Sequence, residues 1–313
     1  MGNIWEIIFA TDFIFSVVRV TTPILLAALG AIVSDRAGVV NIGLEGIMLM
    51  AAITGVVISA QTQSAFIGLF AAVCAGILIA LILGYFVLEM KSNIILGGIA
   101  VNLFASGGSV FLLYVLTGEK GTSSSLASKV VPNINIPIIK DIPIIGEIIS
   151  GHNLITYIAI LSVVAVYLML NKTPMGTKIR SVGENYHAAE SVGINVKKVR
   201  YIALGLSGMF AGFGGAFLSM GYVSWFSRDM SAGRGWIALA AEAMGGGNTI
   251  GTTITALIFG FAQAFANSLQ GLNIPSELIT IIPNVVTVLG LCIFAITKTT
   301  KVRKVKANEK NNN

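Results

Sequence analysis

Few residues in this chain can do chemistry, and most of those stand in apolar surroundings. Arg19, Glu45 and Glu242 lie within or beside long uncharged stretches. A charge in hydrocarbon is costly, so each should face the interior of a helix bundle, a water-filled cavity or the membrane interface. In the run NIGLEG, Asn41 and Glu45 are four residues apart and share a face if that stretch is helical. They could belong to a solute pathway, or they could cap and anchor the start of a span. Asn102, Gln263 and Asn267 are uncharged polar residues in apolar segments. Their paired donors and acceptors suit a hydroxyl-rich or nucleobase-like solute, and interhelical hydrogen bonding would use them equally well. Phe104, with Phe111, Phe261 and Phe265, could stack on a planar ring or simply pack. Asn41, Glu45, Asn102, Phe104, Glu242, Gln263 and Asn267 are therefore the candidate pathway residues.

Catalysis finds no comparable set. His152 and His187 are the only histidines, they fall in different loops, and neither has the companions of a metal site. The patterns G-x-S-x-G and H-E-x-x-H are missing. So is G-x-x-x-x-G-K-[ST], so the chain should not hydrolyse ATP by itself. Cys74 and Cys292 sit in apolar spans as small packing residues.

The elements that must hold these residues follow from composition. Of 313 residues, 55% are hydrophobic and 11% charged, and the mean hydropathy is +0.86. That is an all-α integral membrane protein, a polytopic helix bundle. Residues 46–88, 94–116, 153–170, 201–227, 243–276 and 278–297 carry no Asp, Glu, Lys or Arg. A span needs about 20 apolar residues, so the two longest stretches must each fold back. The breaks SAQTQS (59–64) and GGGNT (245–249) supply the turns. With residues 12–33 added, about nine spans result, with eight or ten also compatible; the weakest are the short run 236–244 and the first span, which carries Arg19.

Lys and Arg placement gives the orientation. Loop 171–200 and the tail 298–313 are both rich in basic residues and should be cytoplasmic, with Arg36 and Lys91 on the same side. The N-terminus and segment 117–152 then fall outside, and residues 1–297 form one transmembrane domain. No basic n-region precedes the first span, so nothing there resembles a cleaved signal peptide. The net charge of +6 reflects topology and contact with lipid headgroups, and no nucleic acid partner is suggested. The outer segment, with Pro132, Pro137 and Pro143 between short apolar runs, is an irregular surface structure that caps the bundle or docks an outside partner.

One hydrophilic passage, RSVGENYHAAESVGINVKKVR (180–200), separates two spans. Residues 184–192 suit about two helical turns, stopped by Gly193, with Tyr186, Ala189 and Gly193 roughly on one side. So short a helix needs something to pack on it. In the next span, Gly208 and Gly212, and Ala211 and Gly215, form small faces for close helix approach.

GENYHAAESVGINVKKVRYIALGLSGMFAGFGGA resembles the G-x-N-x-x-A-A-x-x-x-G-I loop and following glycine-rich span of ABC importer permeases in the branched-chain amino acid and simple sugar permease family. SDRAGVVNIGLEGIMLMAA (34–52) and GRGWIALAAEAMGGGNTIG (233–251) resemble members assigned to nucleoside uptake, although EAMGGGN is richer in glycine. The resemblance covers nearly the whole chain. It implies that the loop carries the coupling helix that docks on an ATPase subunit, with Gly183, Asn185, Ala188, Ala189 and Gly193 at motif positions and Glu184 adjacent. It also implies ATP and Mg on that partner with no cofactor in this chain, a second and related permease subunit, an extracellular substrate-binding protein, and the cell membrane as location. Nucleosides are the expected solute, with simple sugars or branched-chain amino acids as alternatives. An ion-coupled secondary transporter, using Glu45 or Glu242, is the more remote reading.

Overall fold

The computed structural model describes residues 11–137, 145–270 and, within 281–296, all but 284 and 293. The expected tail 298–313, the first ten residues and Pro143 lie outside these described residues. Among them the chain is helical and has no strand. In order the helices are α1 (Thr11–Asp35), α2 (Leu44–Thr62), α3 (Ala65–Gly84, running on to Glu89), α4 (Ile94–Thr117), α5 (Ile145–Ile149), α6 (Leu154–Lys172), α7 (Pro174–Glu184), α8 (Tyr186–Ser191), α9 (Val196–Phe217, running on to Tyr222), α10 (Arg234–Met244) and α11 (Thr249–Leu269). A shorter apolar helix, α12 (Ile281–Ile296), follows.

Seven of these, α1, α2, α3, α4, α6, α9 and α11, are long and apolar enough to cross a membrane. The count of about nine is therefore not reached by full-length helices among the described residues. Two expected spans fall short: α10 has 11 residues, about 16 Å, roughly half the hydrocarbon thickness, and α12 covers only 281–296. Both expected breaks are present. Gln63 takes a left-handed conformation between α2 and α3, and Gly246 and Gly247, with φ of +65° and +63°, turn the chain between α10 and α11.

Side-chain caps start most helices. Asn93, Asn153, Asn185, Asn195 and Asn248 each accept a hydrogen bond from the first turn that follows, as does Thr173. Without such caps the free N–H groups of a helix end have no partner in hydrocarbon.

The first span is not marginal. From Val20 to Ser34 every residue of α1 is buried, and α9, α10 and α11 pack against it. Its Arg19 is held by donating to the Tyr222 carbonyl at 2.7 Å and lying 4.6 Å from the Tyr222 ring centroid. The small faces of α9 act as expected. Gly208 and Gly212 lie against Gly76 and Val73 of α3, and Gly215 against Met48 of α2, so closely that added Cβ atoms would collide with backbone. By contrast α4 is peripheral, with only Gly98, Ala105, Ser109 and Leu113 buried.

Segment 118–137 lies over the end of the bundle away from Arg36 and Lys91. Val131 N–H donates to the Met220 carbonyl, Ser123 N–H to Phe226, and Lys129 N–H to Ser59 Oγ. His152, beside it, stacks on Phe15 at 3.9 Å and donates through Nε2 to the Ile148 carbonyl at 2.9 Å.

Candidate functional site

After α9 the chain does not return through the bundle as a continuous helix. Residues 223–233 run back irregularly, and α10 completes the return to the end that bears Arg36. There the Arg36 Nε donates to the Gly247 carbonyl at 2.7 Å. Irregular backbone at membrane depth is tolerated only where protein buries it or where it lines a water-filled cavity.

Glu45 makes this interruption possible. The N-terminus of α10 begins at Gly233, φ +80°, which has no side chain to cap it. Glu45 supplies the cap from another helix. Its Oε1 accepts from Gly233 N–H at 2.8 Å and its Oε2 from Gly235 N–H at 2.6 Å. These are charge-assisted bonds at the positive end of a helix dipole. Glu45 lies 17 residues before Thr62, the end of α2, so the capped turn is about 26 Å from that end of the bundle. Gly235 is required by the approach itself, since a Cβ there would stand 2.5 Å from Glu45 N and 2.6 Å from its Cα.

Two asparagines hold Glu45 in place. Asn102 of α4 donates to the Ile42 carbonyl at 2.9 Å and accepts from Gly46 N–H at 2.8 Å, which pins both sides of the start of α2. Asn41, fully buried, accepts from Gly43 N–H at 3.1 Å and donates to Ser207 Oγ at 3.0 Å. The structure thus brings Asn41, Glu45 and Asn102 together, with their polar groups on backbone and Ser207.

The other expected pathway residues lie elsewhere. Glu242 is 7% exposed at the far end of α10, beside Asp35 and near Arg36. Gln263 Nε2 donates to Asn267 Oδ1 at 3.4 Å, and Asn267 lines a cavity of about 200 Å³ with Ser16, Arg19, Tyr222 and Ser268. Phe104 is 70% exposed.

One polar group beside the interruption was not among the expected residues. Asp229 Oδ1 accepts from Ser106 Oγ at 3.3 Å, and its Oδ2 lies 3.6 Å from Arg228 Nε. Ser106 is the thirteenth of the 24 residues of α4. Phe104, two positions earlier, points about 160° away from it. Asp229 and Ala232 have positive φ, +52° and +46°. Trp225 and Trp236, on either side of the segment, are exposed aromatics. The signal was present in SWFSRDMSAGRGW, where three charged residues precede a short apolar run.

At the Arg36 end, the hydrophilic passage forms two helices. Asn185 ends α7, donating to the Ser181 carbonyl, and starts α8 by accepting from Ala188 N–H at 3.1 Å. The expected helix over 184–192 is thus α8 alone, with Glu184 closing α7. Ala189 is 3% exposed and packs inward, whereas Tyr186 and Ala188 face out. Tyr186 therefore does not share the buried side; its ring lies 5.4 Å from the Arg200 guanidinium. Ser181, Glu184, Asn185, Ala188, Ala189, Val192 and Ile194 border an open depression of about 270 Å³. Gly193, φ +83°, turns the chain after α8. Gly183 packs against the backbone at Arg36, where a Cβ would collide.

Comparison with known proteins places this architecture. Residues 13–297 match the family described as "Branched-chain amino acid transport system / permease component". A guanosine ABC transporter permease protein, NupQ of Bacillus subtilis, is 35% identical over 87% of this chain and 88% of its own. A nucleoside ABC transporter permease protein, NupC of Lactococcus lactis, is 32% identical over 93% of each. A putative glucose ABC transporter permease protein, TsgC13 of Haloferax volcanii, is 31% identical over 85% of this chain and 80% of its own. Among solved structures, PsaBC from Streptococcus pneumoniae matches in fold with TM-score 0.54 at 12% identity, covering 92% of this chain and 94% of that one. The chain belongs to this family of transport-system permeases; it is the membrane component of an ABC transporter and not an enzyme.

Proposed function

We propose that this permease is the membrane-spanning subunit of an ATP-driven importer of nucleosides. The observation that carries the solute assignment is the similarity, over most of the chain, to one relative named for guanosine and one named for nucleosides. Sugars, suggested by the relative named for glucose, are the alternative that the experiment separates.

On this reading α7 and α8 form the cytoplasmic face that meets a separate ATPase subunit, which holds ATP and Mg. Glu184, Asn185 and Ala188 border its open depression, Ala189 fixes α8 to the bundle, Gly183 allows the close approach to Arg36 and Gly193 sets the turn after α8. The basic residues at this end fit the cytoplasmic side. Residues 223–244 and α12 then make two further crossings, which returns the tail to the cytoplasm. The capping segment 118–137 faces outward, where a substrate-binding protein would deliver solute. A second permease subunit, related to this chain, completes the path; the relative named guanosine ABC transporter permease protein NupP, 25% identical, suggests such a partner. ATP binding biases the pair between inward- and outward-facing states, and the interrupted crossing is where this chain borders the path.

The test is uptake of labelled uridine and guanosine by cells lacking the chain, with and without its restoration, in the presence of excess unlabelled ribose. The reading predicts uptake that returns with the chain and resists ribose. Unchanged uptake would remove the nucleoside assignment; loss of uptake to ribose would favour sugars.

A further inference from the structure

We propose that Asp229, with Arg228, is a contact for the ribosyl hydroxyls of the solute. The proposal rests on the nucleoside reading above and adds the residues and the part of the solute they recognise.

Depth is the first argument. Ser106, which donates to Asp229, is near the middle of α4. Gly233, four residues after Asp229, is tied to Glu45 about 26 Å from the outer end of α2. The segment therefore descends from the outer segment, where Arg228 N–H donates to the Gly121 carbonyl at 2.9 Å, to the level of Glu45, and Asp229 lies on that descent. Exposure is the second. The side chains of Arg228 and Asp229 are 67% and 60% exposed. A carboxylate as exposed as that of Asp229, level with Ser106, cannot face lipid and must border water or the second subunit that completes the path. The backbone agrees, since non-helical chain at this depth also requires a polar cavity. Space is the third: a Cβ added at Gly233 would meet no atom within 4 Å.

The chemistry then narrows the ligand. Asp229 presents two acceptor oxygens held by one hydroxyl and one nearby guanidinium. An ionised carboxylate only accepts hydrogen bonds, so its partner must bring donors. Vicinal 2′ and 3′ hydroxyls can each donate to one carboxylate oxygen, and the Arg228 guanidinium can donate to their lone pairs. Asp229 is held in the left-handed region, which Asp tolerates better than most residues and which fixes the direction of its side chain. A site that hydrogen-bonds a hydroxyl discriminates against the analogue lacking it.

The experiment is internal competition. Cells restored with the wild-type chain or with Asp229→Asn take up a mixture of ³H-uridine and ¹⁴C-2′-deoxyuridine, and the isotope ratio inside gives the ratio of kcat/KM. The binding protein is the same in both strains, so any change in that ratio belongs to this chain. The uridine preference should fall about tenfold in Asp229→Asn, the effect of weakening a hydrogen bond to a charged group. Ser106→Ala, which frees the carboxylate without removing it, should shift the ratio in the same direction by less, and it serves as the test if Asp229→Asn fails to reach the membrane. A ratio unchanged in whichever variant is present in the membrane would overturn the proposal while leaving nucleoside transport standing. Failure of the wild-type chain to restore uridine uptake would instead overturn the nucleoside reading beneath it.

Discussion

Replacing Glu45 by Ala probes the cap on which the interrupted crossing depends. The carboxylate accepts from Gly233 and Gly235 at 2.8 and 2.6 Å, and no side chain at Gly233 can take its place. A hydrogen bond to a charged group contributes about 1.5–3 kcal/mol, so losing both costs about 3–6 kcal/mol. Water entering the cavity would satisfy some of the freed N–H groups, which points to the lower end of that range. At about 2 °C per kcal/mol for a chain of this size, the purified transporter should melt about 6 °C lower. Glu45→Gln keeps one acceptor oxygen but turns an amide N–H₂ toward a donor, so it should recover only part of the loss. Glu45→Asp keeps the charge and shortens the reach by one methylene, so it should hold one bond. The assay is thermal unfolding of the detergent-purified complex, with nucleoside uptake measured in parallel. The order wild type, Asp, Gln, Ala in both readouts supports the cap. An Ala variant with unchanged melting and uptake would refute it.

Further outcomes follow from the same contacts. Gly235→Ala places a Cβ 2.5 Å from Glu45 N, so uptake should fall by at least tenfold in cells while membrane abundance on immunoblots stays near normal. Ala188→Arg changes an exposed position and should leave the purified chain's melting temperature within about 1 °C but uncouple uptake from ATP hydrolysis. Ala189→Arg forces a charge into a site 3% exposed and should destabilise by about 3 kcal/mol or more, read as lost expression. Burial, followed by the nearby Arg19 charge, holds the His152 pKa below 6.5 against the opposing effect of its bond to Ile148. Because the unfolded state then takes up its proton first, stability is full above pH 6.5 and is lost as pH falls through the folded value. Limited proteolysis of segment 118–137 should accelerate across that window in wild type, and His152→Gln should abolish the pH dependence.

Much of this was legible because hydrocarbon punishes exceptions. Uncharged stretches marked α2, α3, α4, α6 and α9, and turn-forming runs marked both sites where the chain folds back. Gly208, Gly212 and Gly215 read correctly as close-packing positions because small residues have few other uses in a span. The interrupted crossing was hidden by the same rule. Arg228 and Asp229 end an uncharged stretch, so they read as leaving the membrane, whereas the chain was turning back into it. Asn102 read equally as a solute contact and as an interhelical hydrogen bonder; it is the second, and which helix it holds was hidden because its two partners are backbone groups 60 and 56 residues away in sequence. Arg19 lowered the apparent quality of the first span because the groups that hold it, the Tyr222 carbonyl and ring, come from the extension of α9. Of Tyr186, Ala189 and Gly193, expected on one packed side, only Ala189 is buried, and Tyr186 instead stands beside the Arg200 guanidinium.

The most direct test of ATP-driven nucleoside import is uridine accumulation in proteoliposomes that hold the complete transporter, with the binding protein outside and ATP trapped within. Accumulation should require ATP and the binding protein, and it should persist when ionophores collapse every ion gradient. Accumulation that proceeds without ATP, or that vanishes with the gradients while ATP remains, would contradict the account and return Glu45 and Glu242 to consideration as ion-coupling residues.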